Sequence, residues 1–241
     1  MANSFYVEGG QRGARVNDLF ARVAPRYDLI NDLQSFGLHR LWKRRVVRMA
    51  AVKSGDRALD VCCGTGDISF ALARAGAEVT ALDFSAAMLG VARQRATRGG
   101  QSSTSNPQFQ KGDAQALPFA DHAFDIVTVG YGLRNLPRWD TGLREMHRVA
   151  KPGARLLVLD FGKPDHAVWR AFYFAYLRAC VPVFGRLFCG DPATHAYILE
   201  SLRRYPAQRG VAELMRELGC REVRIVNLMG GAMSINCGVK S

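Results

Sequence analysis

The sequence has no long apolar run and no paired cysteine motif. None of its apolar stretches reaches about 18 residues, so we expect no segment that spans a membrane. Residues 1–15 lack the apolar core of a signal peptide. The six cysteines form no C-x-x-C pair, which predicts neither a zinc site nor a disulfide framework, and thiols that stay reduced are typical of a cytoplasmic protein.

Acidic residues are scarce relative to basic ones. The chain of 241 residues has 33 Lys and Arg against 21 Asp and Glu, and its net charge is +12. Half of this excess precedes residue 54, and the segment His39–Ala50 (HRLWKRRVVRMA) predicts an amphipathic basic helix. Such a helix either lies on an anionic membrane or forms a solvated outer face. Positive charge also attracts nucleic acid or simply keeps a protein soluble, so charge alone names no partner.

A strand, a glycine turn, a helix and a second strand follow one another in the segment 57–84. Residues Ala58–Val61 predict a buried strand, the turn is CCGTGD at 62–67, and the second strand, Glu78–Leu82, ends in Asp83. Free backbone amides at the start of the helix can face a ligand, and an acid about 20 residues beyond the turn can accept both hydroxyls of a ribose. The stretch therefore predicts a βαβ unit that binds a nucleotide.

The turn lacks the third glycine of a dinucleotide site, G-x-G-x-x-G. Its pattern, D-x-x-x-G-T-G, instead fits S-adenosylmethionine, which has no pyrophosphate and needs a turn around its methionine tail. We therefore assign Asp60, Gly64, Thr65 and Gly66 to that cofactor, with Asp83 on its ribose. Asp60 is expected to organise the turn near the methionine amine rather than to act as a base.

Strands and helices alternate through the middle of the chain, which predicts a parallel sheet with helices on both faces. Ligands of such sheets bind at the carboxyl ends of the strands. Asp113 and Ala114 follow the third predicted strand and suit adenine, through a carboxylate for the exocyclic amine and a backbone amide for a ring nitrogen, while Gly130 follows the fourth. The predicted strands after the βαβ unit are Phe109–Gly112, Phe124–Val129, Arg155–Phe161, Glu222–Leu228 and Ser234–Val239, the last two forming an antiparallel hairpin.

The segment DAQALPF at 113–119, followed by the strand DIVTV at 125–129, resembles class I S-adenosylmethionine-dependent methyltransferases. This resemblance implies an α/β fold with a Rossmann-like seven-stranded sheet, to which we add N-terminal helices and an inserted helical cover. We expect a single domain over 1–241, made of an N-terminal helical segment (1–53), a cofactor-binding core (54–164), an aromatic-rich helical cover (165–205) and a C-terminal helix and hairpin (206–241). The cover either lines a pocket for a large apolar substrate or is an ordinary packed helical pair. We also expect residues 1–12 to be mobile, residues 98–107 to form a surface loop, residues 151–153 to form a turn and Ser85 to be a helix N-cap.

The segment Tyr27–Trp42 resembles the first signature of the ubiquinone/menaquinone biosynthesis C-methyltransferases. The matching residues are Tyr27, Asp28, Asn31, Ser35, His39 and Trp42, while Ile30 and Gln34 depart from the pattern. The segment 148–162 resembles the second signature, with departures at Ala150, Ala154, Asp160 and Gly162. The L-P-F and G-L-R-N segments also match, so the resemblance runs from about residue 13 to the C-terminus.

This resemblance implies methyl transfer from S-adenosylmethionine to a ring carbon of a polyprenylated quinol. The acceptor would be demethylmenaquinol or 2-methoxy-6-polyprenyl-benzoquinol, and its tail would explain the aromatic cover. Arg134 and Asn135 are then the candidates that stabilise the developing phenolate. Tyr27 and His39 are the candidates that relay the proton, although a histidine bonded to backbone is the commoner arrangement. The resemblance places the cofactor contacts at Thr65, Asp83, Asp113, Ala114 and Gly130.

Two other functions stay open at this point: a class I methyltransferase that acts on RNA or another small molecule, and a cofactor-binding regulator without catalysis. The loop 130–135 is not of the N-P-P-Y type that holds a planar amino nitrogen, and the sequence has no Pro-Cys pair, which disfavours nucleic acid as a substrate. The glycine turn together with Arg134 and Asn135 disfavours a regulator. A membrane-borne substrate favours peripheral contact with the inner face of an anionic membrane, and a homodimer is compatible with the sequence.

Overall fold

Seven strands form one mixed sheet in the computed structural model, which describes residues 12–98, 106–183, 186 and 193–241. The strands are Arg57–Val61 (β1), Glu78–Asp83 (β2), Gln108–Lys111 (β3), Phe124–Gly130 (β4), Ala150–Phe161 (β5), Arg221–Leu228 (β6) and Met233–Val239 (β7). Their order across the sheet is β3-β2-β1-β4-β5-β7-β6. The mobility expected at 1–12 and most of the loop expected at 98–107 lie outside the described residues, whereas Arg12 begins a helix.

The strand order reverses between β1 and β4, which are neighbours at the centre of the sheet. β1 runs parallel to β2 and to β4, and β4 runs parallel to β5. β7 lies antiparallel between β5 and β6. The seven strands and the reversed C-terminal hairpin confirm the predicted fold class. The carboxyl ends of β1, β2 and β4 therefore meet at a switch point, which is where open α/β sheets bind their ligands.

Helices flank the sheet and extend beyond its carboxyl edge. In the described ranges three helices precede the sheet, and Pro25 follows the end of the first within a short 3₁₀ turn at 24–26. Two further described helices, Ala167–Ala179 and Ala193–Arg204, lie in the segment 165–205 for which a helical cover was predicted. The helices are Arg12–Val23 (α1), Tyr27–Ser35 (α2), Leu38–Ala50 (α3), Asp67–Arg74 (α4), Ala86–Arg98 (α5), Trp139–Val149 (α6), Ala167–Ala179 (α7), Ala193–Arg204 (α8) and Ala207–Glu217 (α9).

Alternate side chains of the central strands bury themselves against different helices, because successive residues of a strand point to opposite faces of the sheet. Val127 and Leu156 join an apolar cluster that includes side chains of α6 and α9. Ile126 and Leu157 join a second cluster with side chains of α3 and α4. The sheet is therefore covered by apolar clusters on both faces.

The basic helix α3 is amphipathic, as predicted. Its buried side includes Val46 and Ala50, which pack into the cluster below α4. Its opposite side is solvent-exposed and carries the arginines Arg40, Arg44, Arg45 and Arg48. No helix in the described ranges is long and apolar enough to cross a membrane.

Two local expectations were wrong. Residues 151–153 do not form a turn, because β5 already begins at Ala150, which pairs with Phe124, and Gly153 N–H donates to the Lys240 carbonyl at 2.8 Å. Ser85 directly precedes α5, but its hydroxyl caps no amide and is buried without a hydrogen-bond partner. At 151–153 the pairing of β5 with distant strands outweighs the local preference for a turn.

Candidate active site

Two cavities open at the carboxyl edge of the sheet and share a wall. The first, of about 510 Å³, lies at the ends of β1, β2 and β4, and we call it the strand-end cavity. The second, of about 490 Å³, lies between the N-terminal helices and the helical cover, and we call it the aromatic cavity. The residues that line both are Phe20, Tyr27, Tyr131 and Asn135. Molecules bound in the two cavities would therefore meet at these side chains.

Five of the eight residues predicted to bind the cofactor line the strand-end cavity. They are Gly64, Asp83, Asp113, Ala114 and Gly130, which arrive from the ends of four different strands. Asp60, Thr65 and Gly66 do not line it; they lie in or behind the glycine turn. The structure therefore divides the predicted set into residues that face the cavity and residues that shape its wall.

Asp83 ends β2 with its carboxylate held by backbone amides. Gly64 N–H donates to Oδ2 and Ser85 N–H to Oδ1, each at 2.8 Å. Burial raises the pKa of this carboxyl, and the two amides partly offset that effect. Each oxygen keeps a lone pair, so the side chain can still accept two hydroxyl donors from the cavity.

Asp113 and Ala114 form a tight turn after β3. Asp113 Oδ1 accepts a hydrogen bond from Gln115 N–H at 2.8 Å, which fixes the direction of the carboxylate. Ala114 is buried, and its small side chain leaves the cavity floor open beside the acid. This arrangement suits a flat heterocycle that offers one amino group and one ring acceptor.

The glycines of the turn serve two purposes. Gly64 and Gly66 have φ values of +55° and +88°, a region that side-chain-bearing residues rarely adopt. A Cβ on Gly64 would meet nothing within 4 Å, so this position leaves room for a ligand. A Cβ on Gly66 would lie 3.0 Å from the Phe70 ring, so this position is needed for packing.

Asp60 is buried beneath the turn and joins two elements. Its carboxylate accepts hydrogen bonds from Ser69 Oγ of α4 at 2.5 Å and from Thr128 Oγ1 of β4 at 2.8 Å. Burial raises the pKa of Asp60 to about 6, against the effect of both hydroxyls and of Lys43. Asp60 therefore ties α4 to β4 beneath the turn, while its place near the methionine amine stays a prediction.

Replacing Asp60 by asparagine should remove a stability loss that occurs between pH 4 and pH 7. The pKa of Asp60 is higher in the folded state, so its stabilising contribution is complete below the unfolded value of 3.8 and disappears as the pH rises through about 6. The free energy of unfolding of Asp60→Asn minus that of the wild type should therefore rise by ~3 kcal/mol over this interval. Urea unfolding at several pH values measures this difference.

Asp125→Asn provides a control of opposite sign. Partial burial opposes its ionisation, but Lys151 Nζ at 2.8 Å and Arg57 N–H at 3.0 Å lower the pKa of this carboxyl. Its contribution is present at neutral pH and is lost on acidification, so the same difference should fall rather than rise towards pH 7. Parallel pH curves for Asp60→Asn and wild type would contradict the buried, protonatable state of Asp60.

Thr65 holds the N-terminal helices instead of facing the strand-end cavity. Its hydroxyl donates to Asp28 Oδ1 of α2 at 2.8 Å. Arg95 of α5 donates to Asp28 Oδ2 and to the Thr65 carbonyl, each at 3.0 Å. Asp28 matched the first signature in the sequence, but nothing in the local pattern pointed to Arg95 as its partner.

The same network continues to α3. Asp67, the first residue of α4, accepts hydrogen bonds from Lys43 Nζ and from Arg95, each at 2.7 Å. Burial opposes its ionisation, but these two cations lower the pKa of Asp67 to about 2. The ion pairs fasten α2, α3 and α5 around the glycine turn, so that Phe20 of α1 can close the outer wall of the strand-end cavity.

The aromatic cavity is lined mainly by apolar side chains, with a polar group at its inner end. Arg134 in the 3₁₀ turn 133–135 is 5% exposed, and its guanidinium carbon lies 4.5 Å from the centre of the Phe161 ring. Its backbone N–H donates to Asp160 Oδ2 at 3.1 Å, and its Nε lies 3.4 Å from Asp160 Oδ1. Burial opposes the charge on Arg134, but Tyr197 and Asp160 more than offset this and raise its pKa above the ordinary value. The cavity therefore contains a permanent cation.

Asn135 connects this cation to the shared wall. Arg134 Nη1 donates to Asn135 Oδ1 at 2.6 Å, and Asn135 Nδ2 donates to the Tyr131 carbonyl at 2.9 Å. Tyr197 of α8 also donates to Asn135 Oδ1. Sequence reasoning identified Arg134 and Asn135 but missed Tyr197, which lies in the helical cover and carries no motif.

Tyr27 and His39, the predicted proton relays, both line the aromatic cavity, but only Tyr27 also reaches the strand-end cavity. Burial raises the pKa of the Tyr27 phenol, and the amide of Asn31 partly offsets this. His39 Nε2 lies 2.8 Å from Asp32 Oδ1, and burial lowers the pKa of its imidazole. The histidine is therefore bonded to a carboxylate of α2, not to backbone.

The fold is shared with solved methyltransferase structures. A crystal structure described as a SAM dependent methyltransferase from Aquifex aeolicus superposes with a TM-score of 0.60 at 20% sequence identity. The superposition covers 89% of this chain and 98% of that one. At this level of identity the likeness concerns the fold and not the substrate.

Full-length sequence relatives narrow the assignment. The ubiquinone/menaquinone biosynthesis C-methyltransferase UbiE of Pseudomonas paraeruginosa is 40% identical over 237 residues, which cover 97% of this chain and 92% of that protein. The protein of the same name from Rubrivivax gelatinosus is 41% identical over 236 residues, covering 98% and 90%. The family model of the ubiE/COQ5 methyltransferases matches residues 9–240. The chain therefore belongs to the ubiE/COQ5 methyltransferase family.

Proposed function

We propose that this methyltransferase transfers the methyl group of S-adenosylmethionine to a ring carbon of a polyprenylated quinol in menaquinone or ubiquinone biosynthesis. The observation that carries the proposal is the shared wall at Tyr27 and Asn135, where the strand-end cavity meets the aromatic cavity beside the buried cation of Arg134. A planar ring in the aromatic cavity would lie within reach of the shared wall and of the Arg134 cation. The names of the two UbiE relatives support this class of acceptor.

The strand-end cavity fits the cofactor. Ser85 Oγ lines it and is buried without a hydrogen-bond partner, so the cavity holds a polar group that a ligand can satisfy. The carboxylate of Asp83 would hold the ribose, and Asp113 with Ala114 the adenine. Gly64 leaves the space beside the turn for the methionine part. When bound, S-adenosylmethionine supplies a methyl group already activated on a sulfonium sulfur.

The side chains of this protein then align the methyl donor with the ring carbon and stabilise the negative charge that develops on the ring oxygen. The ring carbon becomes nucleophilic as a neighbouring hydroxyl loses its proton, and the cation of Arg134 stabilises the resulting oxyanion. Asn135 holds the guanidinium through Oδ1. Because Arg134 is buried at the inner end of a mainly apolar cavity, its charge interactions act in a medium of lower dielectric constant than water and are stronger than in water.

We assign the proton route to Tyr27. Because burial keeps its phenol neutral, the hydroxyl can accept a proton from the quinol only as it passes its own onward. The Asn31 amide lowers the pKa of the phenol and also lines the aromatic cavity, but an amide takes up no proton, so the proton passes from Tyr27 to solvent through the cavity. His39, held by Asp32, stays outside this route.

An apolar tail has an exit from the aromatic cavity. Among the residues lining it are Phe36, Trp169, Phe172 and Met229, whose side chains are 89%, 39%, 67% and 50% exposed. Apolar side chains of this size at a cavity mouth can remain in contact with a tail that leaves the protein. This mouth, together with the exposed arginines of α3, supports a peripheral contact with an anionic membrane from the cytoplasmic side.

Replacing both Phe36 and Phe172 by serine should weaken binding to anionic vesicles at low salt by about tenfold for each phenylalanine. Burying one such ring in the membrane contributes ~1.5 kcal/mol or more, which corresponds to that factor.

Replacing Arg44 and Arg45 by glutamine should also weaken binding to the vesicles and reduce the salt dependence of that binding. Co-sedimentation with vesicles of mixed anionic and neutral lipid measures both effects.

The matched control for charge is Arg216→Gln with Arg221→Gln, which removes two exposed arginines from α9 and β6. This double variant should bind vesicles nearly as well as the wild type. If it loses as much binding as the α3 variant, the attraction comes from net charge and not from the proposed face.

The quinones of a strain that lacks this protein test the acceptor class. Mass spectrometry of its lipid extract should show a quinone that is one methyl group lighter, and complementation should restore the full mass. The mass of the ring also decides between naphthoquinol and benzoquinol. An unchanged quinone profile would reject the proposal in favour of RNA or another small molecule.

A further inference from the structure

The helical cover contributes a polar side chain to the methyl-transfer centre. Tyr197 of α8 is 4% exposed and lines the aromatic cavity. Its phenol donates to Asn135 Oδ1 and accepts a hydrogen bond from Arg134 Nη1 at 3.2 Å. The three side chains therefore form a closed triangle of hydrogen bonds, although Tyr197 lies 62 positions beyond Asn135 in the sequence.

This triangle fixes the amide of Asn135. Its Oδ1 accepts from both Arg134 and Tyr197, while its Nδ2 donates to the Tyr131 carbonyl at 2.9 Å. Both ends of the amide are thus engaged, which determines its orientation at the wall shared by the two cavities. Removing the phenol hydroxyl would take away one of the groups that set this orientation.

Tyr197 also acts on the charge of Arg134. The guanidinium carbon lies 5.6 Å from the centre of the Tyr197 ring and 4.5 Å from that of Phe161. Two aromatic faces near a buried guanidinium favour its charge and restrict its position. The phenol hydroxyl adds a directional hydrogen bond that the rings alone cannot supply.

We propose that Tyr197 is a positioning residue for methyl transfer, which holds the Arg134 guanidinium and the Asn135 amide in their working orientation. The cover then does more than enclose the apolar part of the acceptor, since one of its side chains completes the polar centre. This inference rests on the proposed function, because it assigns Tyr197 to the same reaction.

Kinetics of Tyr197→Phe test the proposal, since phenylalanine keeps the ring and removes only the hydroxyl. We expect kcat to fall by about tenfold or more, with the KM for the quinol and the Kd for S-adenosylmethionine within about twofold of the wild type. The matched control is Tyr205→Phe, at the end of the same helix, whose buried hydroxyl has no hydrogen-bond partner among the described residues. That variant should retain wild-type kcat.

A second measurement does not depend on activity. The combined effect of Tyr197→Phe and Asn135→Ala on the unfolding equilibrium constant should differ from the product of the two single effects by about fivefold or more. The effects of Tyr205→Phe and Asn135→Ala should combine without such a difference.

A third measurement uses difluorotyrosine at position 197, which keeps the ring and the hydroxyl and only acidifies the phenol. It should change kcat without changing the KM.

Either of two kinetic results would overturn the inference while leaving the proposed function in place. One is a Tyr197→Phe enzyme with wild-type kcat, and the other is a loss of kcat that Tyr205→Phe shows equally. A lower kcat that is matched by a loss of thermal stability, with additive unfolding effects and no response to fluorination, would also overturn it. A wild-type protein that methylates no quinol would overturn the proposed function, and this inference with it.

Discussion

Replacing Arg134 by alanine should nearly abolish methyl transfer and leave the affinity for S-adenosylmethionine within about threefold of the wild type. Arg134 lines the aromatic cavity and does not line the strand-end cavity, so its loss removes the charge opposite the developing oxyanion and leaves the cofactor contacts in place. Losing one group that stabilises an oxyanion costs ~3–4 kcal/mol, a factor of ~100 to 1,000 in kcat. Single-turnover kinetics and calorimetric titration with S-adenosylmethionine measure the two quantities.

Arg134→Ala also leaves the carboxylate of Asp160 buried without its cation, so loss of stability must be separated from loss of catalysis. Arg134→Lys keeps the charge but loses the planar fork that reaches Asn135 and Tyr197 at once. It should fold normally and still be at least tenfold slower. Arg138→Ala is the matched control, because this nearby side chain is 72% exposed and should be dispensable. Loss of cofactor binding in Arg134→Lys would refute the role assigned to Arg134.

Replacing Asp83 by alanine should produce the opposite separation, with binding of S-adenosylmethionine weakened by about 100-fold or more. The carboxylate is positioned by two backbone amides to accept two further donors, and each hydrogen bond to a charged group contributes ~1.5–3 kcal/mol. Asp83→Asn keeps the shape and one acceptor oxygen, so it should lose less affinity than Asp83→Ala. It should still bind more weakly than the wild type, because its amide nitrogen would face a backbone N–H donor. Calorimetric titration of the free protein measures the affinity.

Asp56→Asn is the control for Asp83, since Asp56 precedes β1 at the opposite edge of the sheet. Its affinity for S-adenosylmethionine should equal that of the wild type. If Asp83→Ala binds the cofactor as tightly as this control, the ribose lies elsewhere and the orientation assigned to the cofactor is wrong.

Much of the cofactor side was predictable from the sequence, because local patterns determine it. A buried apolar run, a glycine turn and a strand that ends in an acid can each be recognised within about ten residues. Parallel strands then carry these ends to one edge of the sheet, which is why Gly64, Asp83, Asp113 and Gly130 converge as predicted.

The contacts between distant segments were not predictable in this way. Thr65 looked like a ligand of the cofactor, yet its hydroxyl bonds Asp28, which lies 37 positions away in the sequence. Tyr197 reaches Asn135 from a helix whose sequence carries no functional motif. Such contacts depend on how helices pack over the sheet, and periodicity within one segment carries no information on its partner in another.

Tyr131 illustrates the same limit at shorter range. The sequence marks it only as the residue between Gly130 and Gly132, but in the structure it has a φ of +61° and lines both cavities. Its N–H donates to the Leu159 carbonyl of β5 at 2.7 Å. A neighbouring strand thus holds a backbone conformation that this residue type rarely adopts alone.

The most direct test of the central claim is methyl transfer by the purified protein from methyl-labelled S-adenosylmethionine. The reaction is offered demethylmenaquinol, 2-methoxy-6-polyprenyl-benzoquinol and total RNA in parallel, with Arg134→Lys as the variant of reduced activity. The account predicts label on a ring carbon of one or both quinols, at a rate that falls at least tenfold in the variant. Label in RNA, or in neither quinol, would contradict it.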